Sequence, residues 1–408
     1  MHRRRFLGSL AVAAAALALP RPARAQVGGV NRFLFVQAVG GWDPLCVFAP
    51  LFGTPGIDME PEAEPFTLGD LSLVDHPGRP AVRSFFEAHG AASVVLNGVS
   101  VRSVNHETCQ AVAMTGATAE TGTDWATRLA DARRDAYRLP HVVVAGPAFP
   151  GDRGTIVSRA QGRLQGLIDA ALFDELDTPV ARPHFAVTPV LDRYLSRRAA
   201  GFAAGAPDSR LRAAHVEAVS RAQGLVADRL ELSLRGGGGL NDRIDTAVSA
   251  LASGLCRCAS VATDFVFDTH ADNAVQIGLF QDFFASLSRL RERLASTPGP
   301  TGLPLIEDTL VVVGSEMGRT PAWNATFGRD HWPFTSMMLV GPGLRGGRVI
   351  GGYTARYGGI GADPATGEPD PARPGIAAAD IGATLLALGD VDPGEALPFA
   401  TPLTGILA

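Results

Sequence analysis

Five short segments of the sequence carry a carboxylate, an imidazole or both: Gly40-Gly41-Trp42-Asp43, Ser103-Val104-Asn105-His106, Phe267-Asp268-Thr269-His270, Gly314-Ser315-Glu316-Met317-Gly318-Arg319, and Asp330-His331. Three of the nine histidines fall in this set. Carboxylate oxygens and imidazole nitrogens together are the donor set of a divalent cation. Oxygen and imidazole ligands together suit zinc, manganese or iron or, with fewer histidines, magnesium or calcium. The candidate metal ligands are Asp43, His106, Asp268, His270, Glu316, Asp330 and His331. Asp268 and His270 are two positions apart, a spacing that sends both side chains to one side of an extended chain. Arg319 is a candidate for holding an oxyanion. Each segment alone has a plainer reading: Asp43 after two glycines suits a turn, and Asp330-His331 suits an exposed loop. His76, His89, His141, His184 and His215 lack such company and read as packing or surface residues.

The elements that must position these groups follow from periodicity. The run Arg32 to Val39 is mostly apolar and stops at two glycines, as a buried strand does. Further strands are expected at Ala92 to Asn97, His141 to Ala145, Ser260 to Phe267, Thr309 to Val313 and Ser336 to Val340. Helices are expected at Ala81 to His89, from His106, along the face Ile277, Phe280, Phe284, Leu287 and Leu294, and near Ala379 to Leu388. Residues 51 to 80, rich in Pro, Gly and acid groups, read as loop. The block from about 155 to 235 reads as a helical insertion: Leu164, Leu167, Ile168 and Leu172, then Leu211, Val219, Val226 and Leu230, fall at helical spacing, with breaks at Pro179, Pro183 and Pro189. Gly236 to Gly239 reads as a linker without the spacing of a dinucleotide fingerprint. Strands alternating with helices predict an α/β domain with a largely parallel sheet and helices on both faces. In such sheets, ligands gather at the carboxyl ends of the strands, where most of the polar segments fall.

The set G-G-W-D, N-H-E-T-C-Q-A-V-A-M-T-G, F-D-T-H, S-E-M-G-R-T and D-H resembles the exported bacterial family built on domain of unknown function 1501. The resemblance runs over about residues 30 to 390 and is strongest from Thr309 to Gly352. The order of the acidic and histidine segments is also similar to the alkaline phosphatase and sulfatase superfamily, which implies an alkaline-phosphatase-like fold. In that superfamily a nucleophile opens a helix that a Thr-Gly pair closes, the Gly ten positions on. Here Thr115-Gly116 closes the segment, and the matching position is His106. The resemblance further implies metal-ligand roles for Asp43, Asp268, His270, Glu316 and His331, and leaves Asp330 without a counterpart. An imidazole in the nucleophile's place fits a ligand, a nucleophile or an acid–base group. At a helix start the dipole disfavours imidazolium. Thr108 and Ser103 are the nearby hydroxyls.

Residues 1 to 25 have the composition of a secretory signal: Arg3, Arg4 and Arg5, an apolar run from Leu10 to Leu19, and Ala23-Arg24-Ala25. R-R-R-F-L resembles the twin-arginine pattern, whose cargo crosses already folded. The remainder, 26 to 408, is expected in the periplasm, without a transmembrane helix. A formal net charge of −5 that includes the basic leader excludes a general affinity for nucleic acid or anionic membranes. The four cysteines, Cys46, Cys109, Cys256 and Cys258, do not form a disulfide framework. Cys256-Arg-Cys258 reads as buried packing, or as half of a metal site lacking its other ligands. Two functions follow: a metal-dependent hydrolase of small anionic phosphate or sulfate esters, or a non-catalytic envelope protein that binds or assembles components and keeps the metal.

Overall fold

The computed structural model describes residues 29–118, 122–160, 188–205, 209–228 and 238–408. The proposed signal, residues 1–25, lies outside them, as do Leu164, Leu167, Ile168, Leu172, Pro179, Pro183 and His184 of the middle block. The strands are β1 (Arg32–Val39), β2 (Glu64–Leu68), β3 (Leu71–Asp75), β4 (Ser93–Ser100), β5 (His141–Val143), β6 (Val157–Arg159), β7 (Cys258–Val266), β8 (Thr309–Ser315), β9 (Gly318–Arg319), β10 (His331–Trp332), β11 (Phe334–Val340), β12 (Arg348–Tyr353), β13 (Gly359–Ala362), β14 (Pro369–Asp370) and β15 (Ile376–Ala377). The principal helices are α1 (Pro80–His89), α2 (His106–Thr115), α3 (Trp125–Asp131), α4 (Thr188–Ala204), α5 (Arg210–Asp228), α6 (Leu240–Ala252), α7 (Val275–Ser296) and α8 (Ala378–Leu388).

Eleven strands form one sheet in the order β14-β13-β12-β4-β11-β8-β1-β7-β5-β6, with β15 also paired to β4. The centre is parallel: β1 lies between β7 and β8 with the same sense as both. Its side chains alternate. Leu34, Val36 and Ala38 enter one apolar cluster, with Val82, Phe86, Leu251, Phe280 and Phe284 from α1, α6 and α7. Phe33 enters the other, with Trp125, Leu129, Ile381 and Leu385 from α3 and α8. A strand buried on both faces must be apolar throughout, which is why its run was readable. The expected largely parallel α/β sheet, covered on both faces, is thus observed.

Two local expectations change. The strand near Ser336 runs antiparallel to both neighbours, β4 and β8. Residues 64 to 75 form the hairpin β2–β3, with Phe66, Leu71 and Leu73 turned into the core. Pro189 stands in the first turn of α4, where a missing N–H costs nothing. The strip from β12 to β15, built from short strands rich in glycine, carried too little periodicity to be expected.

Antiparallel β11 has a consequence for the site. It reverses direction twice, so β4 has the same sense as β8, β1 and β7. Four strand carboxyl ends and the amino end of β11 therefore share one edge of the sheet. All four cysteines are buried and unpaired. Cys46 and Cys109 sit in different apolar clusters. Burial pushes the Cys258 thiol up to about 12 and Cys256 higher still, as expected of packing residues. Among the described residues no helix is long and apolar enough to cross a membrane.

Candidate metal centre

The shared edge brings three imidazoles together. His106 opens α2, where Asn105 caps the helix by accepting from the Thr108 amide at 3.0 Å. His270 follows β7 after a tight turn in which the Thr269 amide donates to the Phe267 carbonyl at 2.9 Å, and His331 begins β10, just before β11. Each ring has its Nδ1 engaged. His331 Nδ1 lies 2.7 Å from the Val104 carbonyl, which has no proton to give, so Nδ1 is the donor. His270 Nδ1 lies 2.8 Å from Asp330 Oδ1, and His106 Nδ1 lies 3.0 Å from Glu316 Oε1. Carboxylates likewise only accept.

In the neutral rings the Nε2 atoms then carry lone pairs, and these converge. His270 Nε2 and His331 Nε2 are 3.0 Å apart, and each is 3.1 Å from Asp268 Oδ1. His106 Nε2 is 3.5 Å from Asp268 Oδ2. The ligand atoms of His106, Asp268 and His331 all lie within 4.8 Å of one another. Acceptors facing acceptors at such distances repel unless a proton or a cation sits among them. Zinc–nitrogen and zinc–oxygen bonds of about 2.0–2.2 Å would leave donors on either side of an ion at separations of this order. Imidazoles whose other nitrogen is held by a carboxylate or carbonyl are the usual arrangement of metal ligands. The donor set fits a metal ion.

The seven expected ligands therefore separate into layers. Asp268, His106, His270 and His331 present converging atoms. Glu316 and Asp330 stand behind His106 and His270, as acceptors for their Nδ1 protons. Glu316 is fully buried and also receives the Gly40 amide at 2.8 Å and the Ser315 hydroxyl at 3.2 Å. Gly40, at φ 103°, has a forced identity: a Cβ there would lie 2.5 Å from Val266 and 2.8 Å from the Asp268 amide.

Asp43 does not join the converging atoms. Its buried carboxylate receives the Asn273 side-chain amide at 2.9 Å and the Leu45 amide at 3.0 Å. Arg329 Nε lies 3.0 Å away, at an angle that makes an ion pair rather than a hydrogen bond. A guanidinium thus neutralises the charge expected to meet a metal. Arg329 also donates to the carbonyls of Asp58, Thr320 and Pro321. The residue adjoining Asp330-His331 was the one sequence clue to this cation. Asp43 instead ties the loop after β7 to the loop before β10.

Arg319 is also redirected. It is fully buried, and its guanidinium donates to the carbonyls of Gly40, Gly41 and Arg329 and to Asp268 Oδ1 at 2.6 Å. It orients Asp268 rather than reaching for an oxyanion. Partial burial raises the Asp268 pKa, but the hydrogen bond from Arg319, the contact with the His331 ring and the Arg319 charge prevail, holding it down to about 2. His106 behaves otherwise than its helix-start position implied. The hydrogen bond to Glu316 raises its pKa; burial opposes the rise, and the Glu316 and Asp268 charges add to it. The Thr108 hydroxyl donates to Asn105 Oδ1, which occupies the first fallback nucleophile.

The chain is similar to several solved structures at low identity. The lipoteichoic acid synthase LtaP from Listeria monocytogenes aligns at 8 % identity over 95 % of this chain and 79 % of its own, TM-score 0.42. A phosphonate monoester hydrolase from Silicibacter pomeroyi aligns at 13 % over 92 % and 77 %, TM-score 0.40. A protein in the alkaline phosphatase superfamily from Vibrio parahaemolyticus aligns at 10 % over 90 % and 68 %, TM-score 0.39. None of the curated proteins compared with the sequence matches it. Residues 247–386, about a third of the chain, match the family model described as "Protein of unknown function (DUF1501)", and the F-D-T-H, S-E-M-G-R-T and D-H segments of the motif resemblance lie within that stretch.

Proposed function

We propose that this chain is a periplasmic, metal-dependent hydrolase of phosphate or sulfate esters, exported by the twin-arginine route, with His106, His270, His331 and Asp268 as its metal ligands. The observation that carries the reading is the convergence of Nε2 atoms on Asp268 while every Nδ1 is held from behind. Three imidazoles and one carboxylate suit zinc, manganese or iron better than magnesium or calcium. When bound, such a cation supplies Lewis-acid polarisation of the ester oxygen and lowers the pKa of a water.

The protein's own groups set the stage for that chemistry. Glu316 and Asp330 keep the protons of His106 and His270 on Nδ1, and Arg319 keeps Asp268 charged and oriented. An imidazole stands at the helix start where the resemblance placed a hydroxyl nucleophile, so water is the attacking group in this proposal. That same replacement, with Arg319 buried, favours the second reading: a non-catalytic envelope protein that retains the metal.

Two measurements separate the readings: metal analysis of protein purified from periplasm, and turnover of aryl phosphates and sulfates with zinc or manganese added. The hydrolase reading expects about one ion per chain and metal-dependent turnover, with His106→Ala losing both. Stoichiometric metal without turnover selects the binding protein. Full metal occupancy in His106→Ala with unchanged hydrolysis would refute the role given to His106.

A further inference from the structure

Six non-glycine residues with positive φ occur among the described residues, and three lie in the loops that carry the imidazoles. Arg102 (φ 58°) is four positions before His106, Asp272 (φ 55°) two after His270, and Phe327 (φ 58°) four before His331. The left-handed region crowds any Cβ, and bulky residues rarely occupy it. Asp tolerates it through local hydrogen bonds, whereas an aromatic ring has no such compensation. Strained backbone persists only where its surroundings enforce it, and it gathers at functional sites.

The surroundings of Phe327 do enforce it. Its backbone bridges Ala271, the residue after His270, and its carbonyl accepts from the Asn273 amide at 2.9 Å. On one side, the Asn324 and Thr326 side chains donate to the His270 carbonyl at 2.8 and 3.1 Å. On the other, Gly328 presses against His270 so closely that a Cβ would lie 2.1 Å from its carbonyl carbon. The fold thus fixes Phe327 beside His270 yet leaves it 72 % exposed, so the ring serves neither the core nor the turn. Val104, whose carbonyl holds His331 Nδ1, is 51 % exposed in the same way. Two solvent-facing apolar residues therefore belong to the very segments that hold two of the three imidazoles. Meanwhile, the guanidinium groups of Arg319 on β9 and Arg329 on the loop before β10 are fully buried.

We propose that Phe327 and Val104 form an apolar lip over the metal centre, and that the preferred ligand is an oxyanion carrying an apolar or aromatic group next to its acidic centre. Phe327 is then a specificity-determining residue. The inference rests on the hydrolase reading for its reaction, but the lip itself concerns binding and is tested by binding.

The probes are 1-naphthylphosphonate and methylphosphonate, titrated calorimetrically into zinc-loaded full-length protein, wild type and Phe327→Gly. Glycine accepts the left-handed dihedral, so the variant should melt no lower than wild type and hold the same zinc. Wild type should bind the naphthyl probe about tenfold more tightly than the methyl probe, a preference of the size one buried apolar group confers. In Phe327→Gly the ratio should fall toward one. Equal affinities in wild type, a ratio unmoved by the substitution, or no binding of either probe would overturn the lip. A clear naphthyl preference with no turnover of aryl phosphates or sulfates would instead leave the lip standing and remove the hydrolase.

Discussion

Glu316→Gln isolates the support behind one imidazole without touching the converging atoms. The amide can keep the contacts that place it: its oxygen can still accept from the Gly40 amide and His106 Nδ1. Its new NH2 meets the Ser315 hydroxyl, which can turn its one proton from Glu316 to the Ala38 carbonyl 2.7 Å away and accept instead. The fold should survive, and the lost quantity is the charge that polarises His106. Replacing such a supporting carboxylate costs about 10–100-fold in metal affinity, equivalent to about 1.4–2.7 kcal/mol.

The pH dependence has a definite sign. Glu316 raises the His106 pKa, so in metal-free wild type it helps the proton compete with the metal. Its stabilising contribution is complete below the ordinary histidine pKa of about 6.5 and disappears as pH rises through the raised value. Removing the charge weakens the proton's hold along with the metal's. The ratio of variant to wild-type dissociation constants should therefore grow with pH and level off once His106 is neutral in both. Zinc competition against a chromophoric chelator from pH 5.5 to 9 measures that ratio, with the thermal midpoint as a check on folding. An unchanged ratio near one at pH 9 in a folded variant would refute the assignment of His106 as a ligand backed by Glu316.

Two further outcomes follow. Asp43→Ala strands the fully buried Arg329 guanidinium and should cost about 3–5 kcal/mol in urea unfolding; a loss under about 1 kcal/mol would mean that the pair does not hold the two loops together. Replacing Arg3, Arg4 and Arg5 with lysine should leave the protein in the cytoplasm, and normal accumulation in the periplasmic fraction would exclude the twin-arginine route.

The sequence by itself determined the parts whose burial imposes a pattern. β1 and β8 lie in the sheet centre, and only apolar residues survive there on both faces, so Arg32–Val39 and Thr309–Val313 were readable. The long face of α7 and the capped start of α2 were readable for the same local reasons. The chemistry of the site was also legible as a residue inventory, since carboxylates and imidazoles stand where apolar strands stop. What only tertiary structure decided was the partner of each group. Asp43 and Asp268 look alike in sequence, both following a strand end, yet one meets Arg329 in the dark of the core and the other faces three imidazoles. Glu316 and Asp330, candidate ligands in sequence, meet the Nδ1 atoms of His106 and His270, and Arg319, a candidate anion-binding cation, lies buried against Asp268. The antiparallel turn of β11, which carries His331 to the same edge as His106 and His270, leaves no mark on local periodicity, because a strand reads the same in either direction. Roles of charged groups are set by contacts up to 286 positions apart along the chain, as between Asp43 and Arg329, and those contacts exist only once the sheet has chosen its order.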